Sequence, residues 1–295
     1  MEFFFRGIVK QRPADIVTIA FIAFLIILTL IYNKEIPRAP FLVSLYLSLI
    51  ISQLIVIRIR NSGKFLRLFY DLIFPSLCIL LVFDSLEWVV HYVNPEDIDP
   101  LLIKMDYLIF KNHPTIMLEN IMSPLLTDLM QIAYSTYYFI PITFGIVLLR
   151  NNQREEFSRS LFLILLCFYL SYLGYILFPA LGPRFAISHL QGADLEGLIV
   201  AEPIQNLLNY LEGKKRDAFP SGHIAVTVLV LYLAFKFKRG FFWICLPIVL
   251  ALIFSTVYCR YHYVVDVIAG LGLTFLTVPL GEKCYKWWMR RQSRV

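Results

Sequence analysis

Charged side chains are scarce in this chain of 295 residues, where Asp, Glu, Lys and Arg make up 16% and hydrophobic residues 59%. Soluble globular domains carry about 25% charged residues. The composition therefore excludes an ordinary soluble domain. Internal repeats and low-complexity stretches are absent too, and nothing marks a soluble appendage.

Cysteine is also sparse, and the five residues are scattered at Cys78, Cys167, Cys245, Cys259 and Cys284. No two of them have the close spacing of a metal-binding pair, and most lie within apolar runs. This pattern argues against a disulfide framework and a zinc site, and it favours buried small hydrophobic side chains. We therefore expect no cysteine-bound zinc, and we expect no cofactor.

Long apolar runs are what the chain has in abundance. Stretches of nearly 20 apolar residues are long enough to cross a bilayer as helices. No small-residue cleavage site follows the first run, so we interpret it as a helix and not as a signal peptide. The sequence predicts an all-α, polytopic membrane helix bundle of about eight helices, at about 16–32, 39–57, 69–90, 126–149, 160–178, 221–237, 241–259 and 262–280.

The chain reads as a single membrane domain over residues 1–295. We divide it into N-terminal helices (1–90), an interfacial segment (91–125), a catalytic core (126–282) and a basic cytoplasmic tail (283–295). The interfacial segment mixes acidic and apolar residues, which predicts a helix lying along the membrane surface and broken near His113-Pro114. A second long loop, 179–220, is rich in Gly and Pro at its start, and such loops are often functional.

The net charge of +6 follows the predicted topology, so it does not point to nucleic acid. Eighteen of the 27 Lys and Arg residues fall on the side that holds both termini, and nine fall on the other. The positive-inside rule then places both termini in the cytoplasm. The loops that carry the motifs described next face the periplasm, the outside or an organelle lumen, and the short loops favour a bacterial inner membrane.

His262 and Asp266 stand four residues apart at the start of the last apolar run, so they share one helix face. A carboxylate in that position accepts one ring N–H, fixes the tautomer and leaves the other nitrogen as a nucleophile. A purely structural His–Asp pair at a helix end would have the same spacing.

The second motif is Phe219-Pro-Ser-Gly-His223, at the start of another apolar run. Proline suits the first turn of a helix, and Ser221 and Gly222 would let the backbone approach an anion closely. His223 would then reach a leaving oxygen and protonate it. Taken alone, the motif also fits an ordinary helix cap with a surface histidine.

Two arginines on the same side are candidate phosphate ligands, because a guanidinium matches a phosphate group in shape and charge. Arg184 lies in Gly182-Pro-Arg184, and Arg260 lies two residues before His262. Lys215 and Arg216 are candidate substrate-binding residues, although they would equally suit water and anionic headgroups.

These motifs resemble those of the type 2 phosphatidic acid phosphatase superfamily, whose soluble relatives include vanadium haloperoxidases. Pro220–His223 and His262–Asp266 match its second and third motifs. The resemblance implies that His262 attacks phosphorus, that His223 protonates the leaving alcohol and that Asp266 supports His262. It also implies a helical membrane core, with six helices like those of the phosphatases, and no metal.

Two positions depart from the family pattern: Leu177 replaces the usual lysine of the first motif, and Thr256 replaces the usual arginine of the third. We propose that Arg260 takes the role of that arginine, because it has the same guanidinium group although it stands at a different position. The stretches Asp99–Asp106, Tyr134–Tyr138 and Ala180–Arg184 resemble the inositol phosphorylceramide synthase branch, and this similarity spans roughly 95–275. Members of that branch can move a phospho-headgroup from one lipid to another alcohol.

Three further residues are candidates for substrate contact. Tyr134 and Tyr138 lie on a predicted membrane helix and would line an acceptor pocket or pack as ordinary aromatic residues. Asp128 lies near the outer end of the same helix, where an ionisable group is either functional or solvated.

We therefore expect a lipid-phosphate phosphatase that works through a phosphohistidine at the non-cytoplasmic face. Headgroup transfer between lipids is the alternative. A non-catalytic lipid transporter and a metal-dependent membrane hydrolase are two further readings. The expected partners are a lipid phosphate or phospholipid and the bilayer, and the sequence leaves the oligomeric state open.

Overall fold

The computed structural model describes residues 11–212 and 216–293. Over these residues the fold is an all-α bundle without strands, and the only β-type pairing is an isolated bridge between Ala180 and Asp217. Nine helices of this described part form the bundle. They are α1 (Pro13–Ile31), α2 (Ala39–Ile59), α3 (Lys64–Leu86), α5 (Pro124–Ser135), α6 (Ile140–Arg150), α7 (Arg154–Leu177), α9 (Gly222–Phe237), α10 (Arg239–Tyr258) and α11 (Val264–Gln292). Two of them, α5 and α6, follow each other as one bent pair.

Six of these helices, α1, α2, α3, α7, α10 and α11, are long and apolar enough to cross a membrane. The pair α5–α6 passes the same test as one bent span, and α9 is apolar but shorter, with 16 residues. The prediction of a polytopic helical membrane bundle is confirmed.

The predicted single span at 126–149 is a bent one. Between α5 and α6 the chain makes a 3₁₀ turn at Thr136–Tyr138, and the two helix axes differ by 51°. Pro141 sits in the first turn of α6, where its missing N–H costs nothing. Pro141 also has no N–H to donate to the carbonyl oxygen of Tyr137, and its ring would clash with that carbonyl, so the proline disfavours a straight helix through this point.

The two long loops contain short helices. Helix α4 (Asp99–Phe110) ends at Lys111 in the left-handed conformation (φ 57°), just before His113-Pro114. Helix α8 (Ala201–Glu212) lies in the second loop. The remaining elements of these loops are short helices at Val90–Val93, Pro114–Met117 and Pro183–Ala186 and 3₁₀ turns at Leu118–Ile121 and Ser188–Leu190.

The last helix is longer than the predicted 262–280, because α11 continues to Gln292. The predicted basic tail is therefore helical over most of its length. Gln292 Nε2 donates to the carbonyl oxygen of Gln11 at 2.8 Å, so the described ends of the chain lie together at one end of the bundle.

That same end of the bundle holds a buried ionic network. Arg12 contacts Asp15 at 3.1 Å and Asp71 at 3.3 Å, and Arg154 reaches the second oxygen of Asp71 at 3.4 Å. Asp71 lies in a π-helical turn, Phe69–Ile73, within α3. The network links α1, α3 and α7 at the end opposite to the two histidine motifs.

Candidate active site

The two motif histidines meet. His262 lies in the turn between α10 and α11, and His223 lies in the first turn of α9. The Nε2 atom of His262 is 3.4 Å from the Nδ1 atom of His223, and the two side chains are almost completely buried. Residues that are 39 positions apart in the chain thus form one imidazole pair.

The other ring nitrogen of His262 is oriented by a backbone group. Its Nδ1 atom lies 2.9 Å from the carbonyl oxygen of Ala218, and Asp266 Oδ2 is farther away at 3.5 Å. A carbonyl oxygen can only accept, so Nδ1 carries the hydrogen and Nε2 of the neutral ring keeps a lone pair. Nε2 is also the atom that faces His223.

Asp266 therefore has a different main contact from the one predicted. Its Oδ2 atom accepts the backbone N–H of Tyr263 at 2.9 Å and closes the start of α11 as part of a capping box. The carboxylate is fully buried and still lies within 3.5 Å of the imidazole. Its charge can stabilise an imidazolium, while the carbonyl of Ala218 holds the tautomer.

Ser221 and Gly222 begin α9. Ser221 is the N-cap, its Oγ accepting from Ile224 N at 3.4 Å, so Pro220 precedes the cap instead of occupying the first turn. A Cβ atom on Gly222 would lie 2.3 Å from the hydroxyl oxygen of Tyr175. Glycine is thus required here by the close packing of α9 against α7.

Aromatic rings surround His223. Tyr134 stacks on it with ring centroids 4.6 Å apart, Tyr137 lies at 4.1 Å, and Tyr138 meets it edge-on at 6.5 Å. Tyr134 is buried and also stacks on Tyr261 at 4.2 Å. Tyr134 thus packs as a wall of the imidazole pair, whereas Tyr138 borders a cavity beside His223.

Arg184 reaches the edge of this aromatic stack. Its guanidinium carbon lies 4.9 Å from the ring centroid of Tyr261, and its Nη1 donates to Asn209 Oδ1 at 2.7 Å. Its backbone N–H donates to the carbonyl oxygen of Arg260 at 2.9 Å, which ties the first motif to the third.

Arg260 makes loop contacts. Its Nη2 atom lies 2.8 Å from Glu119 Oε1 and 2.6 Å from the carbonyl oxygen of Ala193, and Nη1 donates to Gln191 at 3.2 Å. Burial lowers the pKa of this guanidinium, and the nearby Glu119 opposes the shift. These contacts join the two long loops, and the predicted phosphate contact of Arg260 gains no support from them.

The other candidate substrate contacts are occupied in a similar way. The carboxylate of Asp128 accepts four successive backbone N–H groups, from Leu198 to Ala201, and so caps the start of α8. Arg216 pairs with Asp97 at 2.7 Å. Lys215 lies outside the described residues.

Two acidic residues to which the sequence assigned no role, Asp99 and Asp106, hold the motif loops. Asp99 accepts the N–H groups of Leu181 and Gly182, at 2.8 and 2.9 Å, and the hydroxyl of Tyr263. Asp106 accepts the first two N–H groups of α11, each at 3.0 Å. The acidic residues of the predicted interfacial segment were visible in the sequence, but no pattern indicated which backbone N–H groups they would bind.

A cavity of about 290 Å³ opens beside the imidazole pair. His223 and Asp217 lie at one end of it, and helices α3, α6 and α7 form its walls. Asp217 is a further polar residue that sequence reasoning missed. It directly precedes the second motif, and only its place in the chain could have drawn attention to it.

The part of the chain that holds these motifs matches a known protein family. Residues 102–280, more than half of the chain, match a family model described as PAP2 superfamily. The chain belongs to the PAP2 superfamily. This is the superfamily that the Pro220–His223 and His262–Asp266 motifs resemble, and the match spans most of α4, the imidazole pair and most of α11.

Two curated relatives support the same assignment. A PA-phosphatase related-family protein of Dictyostelium discoideum is 25% identical over 183 residues, which are 55% of this chain and 33% of that protein. A phosphoinositol dihydroceramide synthase of Bacteroides thetaiotaomicron is 27% identical over 158 residues, which are 49% of this chain and 52% of the synthase. The matches thus span a third and about half of the relatives' lengths. No solved structure matches the chain significantly.

The PAP2 superfamily is a family of phosphatase- and phosphotransferase-type enzymes, and the printed names of both relatives connect it to lipids. The synthase relative supports the phosphotransferase type and the predicted branch.

Proposed function

We propose that the protein breaks the phosphate ester of a membrane lipid through a phosphohistidine on His262, and that it passes the phospho-group to the hydroxyl of a second lipid. The observation that carries the proposal is the imidazole pair, in which the backbone of Ala218 directs the lone pair of His262 Nε2 towards His223.

In the first step, Nε2 of His262 attacks phosphorus and forms the N–P bond while the bond from phosphorus to the lipid oxygen breaks. His223 gives a proton to the departing oxygen. Attacking and leaving atoms stand on opposite sides of phosphorus in such a displacement. The facing nitrogen atoms of the two rings lie 3.4 Å apart in this structure, so the rings must separate to admit the phospho-group.

In the second step, His223 takes a proton from the acceptor hydroxyl. The acceptor oxygen bonds to phosphorus, the N–P bond breaks, and both imidazoles return to their starting states. Asp266 stabilises the positive charge on His262 between the two steps. Arg184 and the start of α9 are our candidates for stabilising the charge on the phosphoryl oxygens.

Transfer to a lipid hydroxyl is favoured by the surroundings of His223. Its ring borders a largely apolar cavity within the helical bundle, where a lipid hydroxyl is easily presented and water is scarce. The relative named phosphoinositol dihydroceramide synthase supports the same choice. Hydrolysis, with water as the acceptor, is the second candidate, and the relative named for its relation to phosphatidic acid phosphatases favours it.

The proposed side of the membrane follows from charge. Eighteen of the 27 Lys and Arg residues belong to the side of the termini, which we assign to the cytoplasm. The imidazole pair then works at the periplasmic, extracellular or lumenal face, with a bacterial inner membrane as our preferred location.

The experiment is a product assay on purified protein with a panel of lipid phosphates and phosphodiesters, with and without a long-chain alcohol. Free phosphate, free phospho-headgroups and labelled lipid products are measured side by side. Label in the added alcohol supports transfer. Release of phosphate from a monoester, or of a phospho-headgroup from a diester, without a labelled lipid product supports hydrolysis. A His262→Ala variant that is as active as the wild type would point to a different mechanism, and loss of activity in strong chelator would favour a metal-dependent one.

A further inference from the structure

The cavity beside His223 changes in polarity along its length. At one end it is polar, with His223, Asp217 and Tyr175, and at the other end it reaches Asp71 and Ser160. The walls between these ends are apolar, and they include Ile79, Ile164, Leu165 and Phe168. A ligand that matches this lining has a polar group near the imidazoles and a hydrocarbon body.

The cavity also runs along the bundle. On α7 its lining extends from Phe157 to Tyr175, a rise of about 27 Å at ~1.5 Å per residue. The hydrocarbon core of a bilayer is about 30 Å thick, so each leaflet contributes about half of that. The cavity therefore passes beyond the leaflet that faces the imidazoles and ends near the opposite surface.

Its size suits a single chain. The volume of about 290 Å³ lies at the lower end of the range for small-molecule sites, which is roughly 300–1,000 Å³. Leu80 on α3 and Ile142 on α6 line the cavity and are 54% and 38% exposed on the outside of the bundle. A hydrocarbon chain can enter from the bilayer between these two helices.

The far end of the cavity has a floor. A Cβ atom on Gly145 would lie 3.0 Å from Leu72 and 3.2 Å from Phe157, so α6 approaches these two side chains closely. The carboxylate of Asp71, which is held by Arg12 and Arg154, also lines this end of the cavity. A hydrocarbon end cannot displace an ion pair without a large desolvation cost, so the chain must stop here.

We propose that this cavity holds one hydrocarbon chain of the lipid substrate and that its floor at Gly145, Leu72 and Phe157 sets an upper limit on the length of that chain. The inference rests on the proposed lipid phosphotransfer at His262. A chain in the bilayer is already out of water, so entering an apolar cavity gains little hydrophobic free energy. Selection is therefore steric: chains up to the length that reaches the floor are accepted, and longer chains are rejected.

The test uses one lipid headgroup attached to chains of increasing length, with kcat/KM measured for each. Gly145→Leu raises the floor. It should lower the ratio of kcat/KM for long chains to kcat/KM for short chains by about tenfold or more, which is the scale of an overpacking clash. Phe157→Ala lowers the floor and should shift the optimum to longer chains. Gly272→Leu is the matched control, because a Cβ at Gly272 meets nothing within 4 Å and the residue does not line the cavity.

Opposite shifts in the two variants, with an unchanged control, support the inference. An unchanged optimum in both active variants overturns it. If the wild type turns over no lipid phosphate of any length, the proposed function fails instead.

A second measurement does not depend on activity or on the variants folding. A lipid with a photoreactive group at the end of its chain should crosslink to the wild-type segment 157–165, and one with the group next to the head should crosslink near Tyr137 and Tyr138. Crosslinks of the chain end to the outer surface of the bundle alone would contradict the inference.

Discussion

The carbonyl oxygen of Ala218 lies 2.9 Å from Nδ1 of His262, which makes it a nearer partner than the carboxylate of Asp266. Ala218 comes five residues before His223, in the same short loop. That loop therefore presents one imidazole to the site and orients the other. Any shift of the loop would disturb both histidines together. The bridge between Ala180 and Asp217 holds this loop, and Asp99 in turn holds the adjacent N–H groups of Leu181 and Gly182.

Asp266→Asn tests this division of labour. Asparagine can still accept the Tyr263 N–H, and Ala218 still fixes the ring, so only the charge beside the imidazolium is lost. We expect kcat to fall about 10–100-fold, the scale for groups that support a functional histidine. In a serine protease triad, where a carboxylate alone sets the tautomer, the same change costs ~10⁴-fold. A loss as large as that of His262→Ala would mean that Asp266, and not Ala218, governs the ring.

Gly222→Ala should disrupt the start of α9, because the new Cβ would lie 2.3 Å from the Tyr175 hydroxyl. Overpacking of this kind costs about 1–3 kcal/mol and moves the His223 backbone. Combining it with Tyr175→Phe removes the clashing oxygen, so the double variant should recover activity and thermal stability relative to Gly222→Ala. Gly272→Ala, with open space around its Cβ, serves as the control. No recovery in the double variant would show that the glycine is needed for another reason, such as close approach of a phosphate.

The two arginines should respond differently to substitution. Arg260 and Glu119 form a largely buried ion pair. Removing either partner should lower the free energy of unfolding by roughly 3–5 kcal/mol. Removing both should lower it by less than the sum of the two single losses. Arg184→Lys should leave thermal stability nearly unchanged and lower kcat/KM, because lysine loses the planar fork for phosphate. Unfolding temperatures in detergent and kinetics on the same samples check both. If Arg260→Lys loses activity at unchanged stability, Arg260 is a phosphate ligand, as its guanidinium chemistry first indicated.

The buried carboxyl of Asp106 should make stability depend on pH. Burial raises its pKa above the ordinary value, although the N–H groups of Val264 and Val265 oppose the shift. Its contribution to stability is then complete below the unfolded pKa of about 3.9 and is lost as the pH rises through the folded pKa. The stability of the wild type relative to Asp106→Asn should therefore decline over that interval and level off above it. Thermal unfolding across a pH series checks this, with the exposed Glu96→Gln as control. A difference that grows with pH would contradict the expected sign.

Much of the fold could be predicted because a bilayer imposes a simple rule, in which a run of about 20 apolar residues becomes a helix. Six of the eight predicted spans are single helices that follow this rule, whereas 126–149 is a bent pair and α9 is shorter. The bend between α5 and α6 was not predicted, because residues 126–149 have the length of one span and a proline does not always end a helix: Pro247 and Pro279 lie inside α10 and α11. The length of α11 was missed for the opposite reason: charged residues such as Lys283 and Lys286 end an apolar pattern but not a helix.

For the candidate site, the sequence predicted which side chains would gather but not which backbone groups they would meet. His262 and His223 were evident from residue type and spacing. The carbonyl of Ala218, the caps formed by Asp99 and Asp106, and the Arg260–Glu119 pair depend on contacts between loops far apart in the chain. Hydrogen bonds to backbone carry no signature in a single sequence, so these partners could only come from the structure.

The most direct test of the account is to look for the phosphohistidine itself. Purified protein is mixed briefly with a lipid labelled in its phosphate, quenched in base, digested and analysed by mass spectrometry. The account predicts an acid-labile phospho-group on His262, absent in His262→Ala and lost from the wild type when an alcohol acceptor is added. Full turnover by His262→Ala, or label on any other residue, would contradict it.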